Sequence, residues 1–202
     1  MNTLVTILAV LNLSVCGSVK TGTLLGLHAG GGADGLYEID IDSGDVTLLH
    51  AFDFNRSEGA LAVGPDGTLY AAFSGEFDSL MIINPETGDV RPVGPFGFDD
   101  VSGLAFAPDG TLYGLDSTTD QLIMIDPLTG EGRAIGFVAS VGNGGFAFTP
   151  DGILHLAGGA GGLARLYTDD LARWLGMLPL DQRTLPSTPI RPLESSPWAS
   201  RD

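Results

Sequence analysis

The sequence predicts an all-β protein, a β-propeller of about four blades with repeats of about 43 residues. Gly is abundant, at 30 of 202 residues, and Pro occurs 12 times, a composition typical of short strands joined by tight turns. A segment of the form PDGTLY recurs in phase along the chain, and a second turn marker follows it. Two alternatives stay open: a compact four-bladed ring, or part of a larger propeller, whether through a truncated reading frame or through a ring completed by oligomerisation.

Four glycines set the phase of the repeat, and the spacings between them are 45, 43 and 42 residues. They are Gly22, Gly67, Gly110 and Gly152, in TGTLLGL, GPDGTLY, APDGTLY and TPDGILH. The second marker reads IDIDSGDV, INPETGDV and IDPLTGEG in the first three repeats, and the fourth has only LARLYTDD. Periods of this length are typical of propeller blades.

Each repeat contains four short apolar stretches, read as the strands of one blade. In the third repeat they are Leu104–Phe106, Leu112–Leu115, Leu122–Ile125 and Arg133–Ile135. The first and second, and the third and fourth, are joined by turns in which Pro fixes φ and Gly supplies a positive φ. The first repeat shows no convincing inner strand before Gly22, so we expect that blade to be incomplete.

The segment GLAFAPDGTLYGLDSTTDQLIMIDPLTG at 103–130, with its copies, resembles the superfamily of NHL-like and SMP-30/gluconolactonase-like propellers over about residues 22–178. This resemblance implies the propeller fold. In SMP-30-like lactonases a divalent metal is held by Glu, Asn and Asp at the starts of inner strands. The resemblance therefore implies Glu58 and Asn143 as metal ligands, for Ca²⁺ or Zn²⁺, with Asp99 and Asp100 near the third position.

Three segments are predicted. Residues 1–18 hold an apolar run that resembles a secretory signal, and Cys16 lies in a lipobox-like context that would allow a lipid anchor. The alternative is a buried first strand. The run is too short to span a bilayer. Residues 19–178 form the propeller, and residues 179–202 form a Pro-rich tail that we expect to be disordered. The predicted location is extracellular or periplasmic, and cytoplasmic if the first segment is a strand.

The net charge of −16 argues against nucleic acids as partners, because an acidic surface repels phosphate backbones. We therefore predict no nucleic-acid binding. The single cysteine allows no internal disulfide, so cysteine pairing says nothing about the compartment.

The acidic turns are interpreted as scaffold rather than as cation sites. Asp40, Asn84 and Asp126 begin equivalent turns that each end in Gly, and the residue two positions later changes from Asp to Glu to Leu. A calcium loop would keep its oxygen ligands, whereas a turn needs only the Asx residue and the Gly. The same interpretation applies to Asp66, Asp109 and Asp151.

Ligand binding is expected in the loops around the channel mouth, where the sequences of the repeats differ from one another. The candidate ligand-binding residues in these loops are Asp53, Arg56, Glu58, Asp99, Asp100 and Asn143. Asp34 and Asp120 lie in neighbouring loops and are also interpreted as non-repeating.

The function predicted from these residues is an exported, acidic propeller that acts as a binding or scaffolding module for a protein or small-molecule ligand at the channel mouth. No catalytic residue is assigned. The alternative is a metal-dependent lactonase or other hydrolase centred on Glu58 and Asn143.

Overall fold

The computed structural model describes residues 7–10, 24–28, 34–53, 59–73, 78–138, 145–157 and 163–166, with the backbone alone at 7–10, 157 and 163–166. All regular secondary structure in these residues is β-strand, arranged in four antiparallel sheets. The predicted all-β propeller architecture is confirmed.

Each sheet is one blade, and its strands follow one another in sequence from the inner to the outer edge. Blade 1 comprises β1 (Ile7–Val10), β2 (Leu24–His28), β3 (Gly35–Ile39) and β4 (Val46–Ala51). Blade 2 comprises β5 (Gly59–Val63), β6 (Leu69–Phe73), β7 (Ser79–Ile83) and β8 (Val90–Pro95). Blade 3 comprises β9 (Val101–Phe106), β10 (Leu112–Asp116), β11 (Gln121–Ile125) and β12 (Gly132–Phe137). Blade 4 comprises β13 (Gly145–Phe148), β14 (Leu154–Ala157) and β15 (Leu163–Leu166) in the described part.

The four strands predicted in the third repeat are confirmed, and each extends by one to three residues beyond its predicted ends. The expectation that the first repeat lacks an inner strand is wrong. Ile7–Val10 pairs antiparallel with β2, with Val10 opposite Leu24. The apolar run that resembles a signal sequence thus supplies backbone to blade 1, and the signal interpretation stays a prediction.

The acidic turns are scaffold, as predicted. Asp40 Oδ1 accepts hydrogen bonds from the backbone N–H groups of Asp42 and Ser43, both at 2.9 Å, and the equivalent Asn84 binds the N–H of Glu86 at 2.9 Å. In the shorter turns Asp109 Oδ1 accepts from the N–H of Thr111 at 2.9 Å. The glycines that end these turns have positive φ, for example 88° at Gly110, a conformation that L-residues rarely adopt.

The hydrophobic core lies between successive blades. One cluster joins blades 1 and 2, a second joins blades 2 and 3, and a third joins blades 3 and 4. An aromatic pair recurs at equivalent positions: Tyr70 packs on Phe106, and Tyr113 packs on Phe148, with ring centroids 5.4 and 5.3 Å apart. Because every blade meets its neighbour through a flat apolar face, both faces of a central blade are buried.

Polar contacts at the outer edge fix the rotation of one blade against the next. His50 Nε2 lies 2.9 Å from the carbonyl oxygen of Pro85, which joins the outer strand of blade 1 to a turn of blade 2. The N–H of Gly132 donates to the carbonyl oxygen of Phe96 at 2.9 Å, between blades 3 and 2. Polar contacts at the outer edge thus join blade 1 to blade 2 and blade 2 to blade 3.

Candidate functional site

The two ends of the blades differ in chemistry. One end carries the repeated turns described above, and we call it the turn face. The other carries the loops between second and third strands and the connections from one blade to the next, and we call it the loop face. In blade 3 the loop face is marked by Asp116, the last residue of β10, which lies opposite Val101, the first residue of β9.

Asp116 is a buried acid of the loop face, with 1% of its surface exposed. Its carboxylate accepts hydrogen bonds from the backbone N–H of Thr118 at 3.2 Å and from the hydroxyl of Thr119. A buried carboxylate is costly unless it is hydrogen-bonded, so these two donors hold the acid and the loop after β10 together. The equivalent positions carry His28 in blade 1 and Phe73 in blade 2, so the acid is specific to blade 3.

Two serines extend this cluster. The hydroxyl of Ser117 donates to the hydroxyl of Ser102, and the N–H of Ser117 donates to the carbonyl oxygen of Asp100 at 2.8 Å. The register of β9 against β10 shifts here, from Gly103 opposite Leu115 to Val101 opposite Asp116, so Ser102 is the extra residue of a β-bulge. Bulges re-aim side chains, and this one brings Ser102 to the loop after β10.

Blade 1 carries a different polar pair at the same face. His28 Nδ1 lies 3.4 Å from Asp34 Oδ1, and the Asp34 side chain is 8% exposed. The ring of Tyr37 meets the His28 ring edge-on, with centroids 6.4 Å apart. The pair thus connects the last residue of β2 with the residue that precedes β3.

The interpretation of Asp34 and Asp120 as non-repeating residues is wrong. Asp34, Asp78 and Asp120 occupy equivalent positions, and their carbonyl oxygens accept hydrogen bonds from the N–H groups of Phe52, Phe96 and Val138 at 2.8, 3.0 and 2.9 Å. This bond closes the loop face of each of the first three blades in the same way. Their backbones are therefore scaffold, although Asp34 also meets His28 through its side chain.

The structure places three of the six predicted ligand-binding residues. Asp99 and Asp100 precede β9, where Asp99 is exposed and Asp100 half-buried, and the Asp100 carbonyl ties them to the Asp116 loop. Asp53 follows β4 and is exposed. Arg56, Glu58 and Asn143 lie outside the described residues, so the metal prediction on Glu58 and Asn143 has no geometry to test it.

Sequence reasoning missed the hydroxyl residues of blade 3. Ser102 occupies the position that Gly59 and Gly144 hold in the neighbouring repeats. This difference between the repeats is the sequence feature that could have identified Ser102 as a site residue. Asp116 directly follows the predicted second stretch Leu112–Leu115, and the structure makes it the last residue of β10, opposite the bulge. Hydroxyls and carboxylates together form a surface rich in hydrogen-bond acceptors.

No three His, Cys, Asp or Glu side chains converge as a metal-ligand set within the described ranges. The same residues include no helix long and apolar enough to cross a membrane.

No protein-family model and no curated protein matches the chain. Among solved structures, the chain is similar to regucalcin of Agrobacterium tumefaciens, a calcium-binding protein, with 26% identity and a TM-score of 0.47 over 73% of this chain and 54% of that one. An auxiliary nutrient binding protein of Bacteroides ovatus matches at 12% identity and a TM-score of 0.53, over 71% of this chain and 35% of that one. A chain of the nidogen/laminin complex matches at 15% identity and a TM-score of 0.53, over 81% of this chain and 65% of that one.

The chain thus spans about half the length of the regucalcin chain and about a third of that of the nutrient-binding protein. At these identities the matches establish the fold, in agreement with the repeat. The chain is a β-propeller that resembles the NHL-like and SMP-30-like proteins.

Proposed function

We propose that the protein is a binding module that takes a small polar ligand at the loop face of blade 3. The observation that carries this proposal is the buried Asp116, which departs from the repeat at a face where its equivalents are His28 and Phe73. Burying an acid costs free energy, and the repeated blade does not require it, since blades 1 and 2 have other residues at this position.

The side chains around Asp116 suit recognition better than catalysis. Thr118, Thr119 and Asp99 are exposed, and Asp116 positions the first two through its hydrogen bonds. Asp116 is thus a positioning residue, whereas the exposed hydroxyls and the Asp99 carboxylate are the groups that would touch a ligand.

The chemistry of the ligand follows from this lining. Carboxylates, hydroxyls and backbone carbonyls accept hydrogen bonds, so the complementary ligand donates them. The acidic charge of the chain favours donors that are neutral or cationic. Glucose represents the first class, and putrescine the second.

The test is a titration of the isotopically labelled full chain with glucose and, separately, with putrescine, followed by backbone amide chemical shifts. We expect one of the two probes to move the amides of Asp99–Ser102 and Ser117–Asp120, and to leave those of the Asp66 and Asp126 turns unchanged. Asp116→Ala should abolish the shifts, and Asp109→Ala, which changes a turn-face acid, should not.

Shifts confined to the turn face, or equal shifts in Asp116→Ala and the natural sequence, would remove the proposal. A response to neither probe would also count against a donor ligand at this site.

The second candidate is a metal-dependent hydrolase of the lactonase type, centred on Glu58 and Asn143. It is favoured by the sequence resemblance and by the position of Asp99 and Asp100 at the start of an inner strand. Its test is thermal melting with Ca²⁺ or Zn²⁺ together with hydrolysis of gluconolactone. A melting temperature that no divalent ion raises, and lactone turnover that Glu58→Ala leaves unchanged, would eliminate it.

Export is a proposal of its own, and it competes with blade 1 for the same residues. Cleavage of the chain before Cys16, with or without lipidation of its thiol, would separate Ile7–Val10 from the rest of the chain, although these residues pair with β2. Intact mass measurement of the protein recovered from a secreting host distinguishes the two: loss of the first 15 to 18 residues supports export, and retention with Met1 present supports the strand.

A further inference from the structure

The two terminal blades carry apolar faces that match the interfaces inside the molecule. We call the face of a blade toward the preceding blade its leading flank, and the face toward the following blade its trailing flank. In blades 2 and 3 both flanks are covered. Blade 1 has no preceding blade and blade 4 no following blade among the described residues, so one flank of each differs from its equivalents.

The leading flank of blade 1 has the apolar residues of an interface, but no described blade packs on it. Leu69 and Leu112, on the second strands of blades 2 and 3, are 1% and 0% exposed, and the equivalent Leu24 is only half-buried. Ile83 and Ile125 are 1% and 2% exposed, and the equivalent Ile39 is again half-buried. Val46, on the outer strand of the same flank, is 61% exposed.

The trailing flank of blade 4 shows the complementary pattern. Ala62 and Ala105, on the inner strands of blades 2 and 3, are buried, whereas the equivalent Ala147 is exposed. Tyr70 and Tyr113 are buried under aromatic residues of the following blade. His155 holds the same position in blade 4 and is half-buried.

These exposures decide whether the described blades form a closed ring. If blade 4 packed on blade 1, Leu24, Ile39 and Ala147 would be as buried as their equivalents. They are not, so the described blades form an open arc with one unsatisfied flank at each end. Each flank fits the other because the interfaces between blades 1 and 2, 2 and 3, and 3 and 4 join the same repeat positions.

We propose that the leading flank of blade 1 packs against the trailing flank of blade 4 in a second copy of this chain, and that two copies close a ring of eight blades. The contact would continue an interface already formed three times in each chain. A contact between two different surfaces must close or propagate. Propellers contain about four to eight blades, so two four-bladed chains reach closure and three would exceed the range.

This assembly goes beyond the proposed binding function and has a consequence for it. The loop faces of the two copies would surround one channel, so each ring would carry two copies of the Asp116 cluster. The mouth would then be completed only by the partner copy.

The test is the mass of the full chain in solution, measured by light scattering and sedimentation. We expect twice the chain mass of 20.9 kDa. Val46→Asp and Ala147→Glu each place a charge on one flank, at positions that are exposed in the single chain, so the fold should be kept, as circular dichroism would show. Each variant alone should bind a second copy of itself at least about tenfold more weakly than the natural chain does, because burying an unpaired charge is costly. At concentrations where the natural chain is a dimer, each variant should therefore be mainly monomeric.

Mixing the two variants gives the sharper result. The natural trailing flank of Val46→Asp can pair with the natural leading flank of Ala147→Glu, so the mixture should form dimers that neither variant forms alone. Leu128→Asp is the matched control, since Leu128 is 85% exposed on a turn and belongs to neither flank; its dimer should be unchanged.

Three results would overturn the proposal. They are a natural chain that stays monomeric at every concentration, a dimer that Ala147→Glu leaves intact, and an assembly of more than two chains. The first would mean that other segments or further blades cover the flanks, the second that blade 1 pairs with blade 1, and the third that the ring does not close at eight.

Discussion

Tyr113 of blade 3 packs on Phe148 of blade 4 with ring centroids 5.3 Å apart and an interplanar angle of 47°. Tyr70 and Phe106 repeat this contact one blade earlier, at 5.4 Å and 55°. The tilted geometry is favourable for aromatic pairs, and both tyrosines are buried. Blades 2 and 3, and blades 3 and 4, are therefore joined by the same aromatic contact as well as by aliphatic packing.

Truncation of the Tyr113 side chain should lower the stability of the protein. Tyr113→Ala removes a buried ring, and we expect a loss of about 3 kcal/mol in the free energy of unfolding, by analogy with other aromatic truncations in cores. Tyr113→Phe keeps the ring and should cost much less. Urea denaturation of both variants measures the difference, and equal losses would show that the hydroxyl rather than the ring matters.

The same tyrosines predict a loss of stability at high pH. Burial raises the pKa of Tyr70 and of Tyr113 above the ordinary value of 10.0, with the nearby carboxylates of Asp66 and Asp109 adding to the effect. Because the folded state favours the neutral phenol, its contribution is complete below pH 10 and decreases as pH rises toward the folded pKa.

Thermal melting between pH 8 and pH 12 checks this expectation. The melting temperature should fall above about pH 10, and the double variant Tyr70→Phe/Tyr113→Phe should show a shallower fall. A slope that the double variant does not change would assign the loss to other groups.

The close approach of blades 2 and 3 at their outer edge predicts a glycine requirement. A β-carbon at Gly94 would lie 2.1 Å from the carbonyl oxygen of Thr129, so the backbone would have to move. We expect Gly94→Ala to cost about 2 kcal/mol, as overpacking does elsewhere. Gly145→Ala is the control, because a β-carbon there meets no atom within 4 Å and blade 2 already has Ala60 at this position. Chemical denaturation should separate the two variants, and equal stabilities would contradict the contact.

The Asp116 carboxylate should order the loop that follows it. Asp116→Ala removes the acceptor for the Thr118 N–H and the Thr119 hydroxyl, so we expect faster hydrogen exchange at the Thr118 amide and a stability loss of about 1 to 3 kcal/mol. Thr119→Val removes one of the two donors and should have the smaller effect. Unchanged exchange at Thr118 in Asp116→Ala would show that the loop is held by other bonds.

The repeat allowed the blades to be predicted because turn chemistry is local. Gly67, Gly110 and Gly152 occupy left-handed turns in the structure, and their spacing placed the strands around them. The inner strand of blade 1 was kept only as the alternative to a signal segment, because Val10 lies 14 residues before Leu24 and no turn marker joins the two strands. Apolar residues alone do not distinguish such a strand from an export signal.

The candidate site was harder to predict, since it depends on register. Ser102 reaches the Asp116 loop only because the pairing of β9 with β10 shifts at that point, and a shift of this kind leaves no periodic trace in the sequence. Asp34 and Asp120 were misread because Asp78 was not aligned with them, although all three carbonyls make the same bond.

The equivalence of the flanks has a consequence for how such a chain can change over time. Leu69 and Leu112 hold the same position in two successive interfaces between blades. Duplicating or deleting one unit of about 43 residues therefore creates no new kind of surface. Copy number is then the property most readily altered by unequal recombination. Duplication of a blade would also copy the residues that distinguish it from the other blades, such as Asp116.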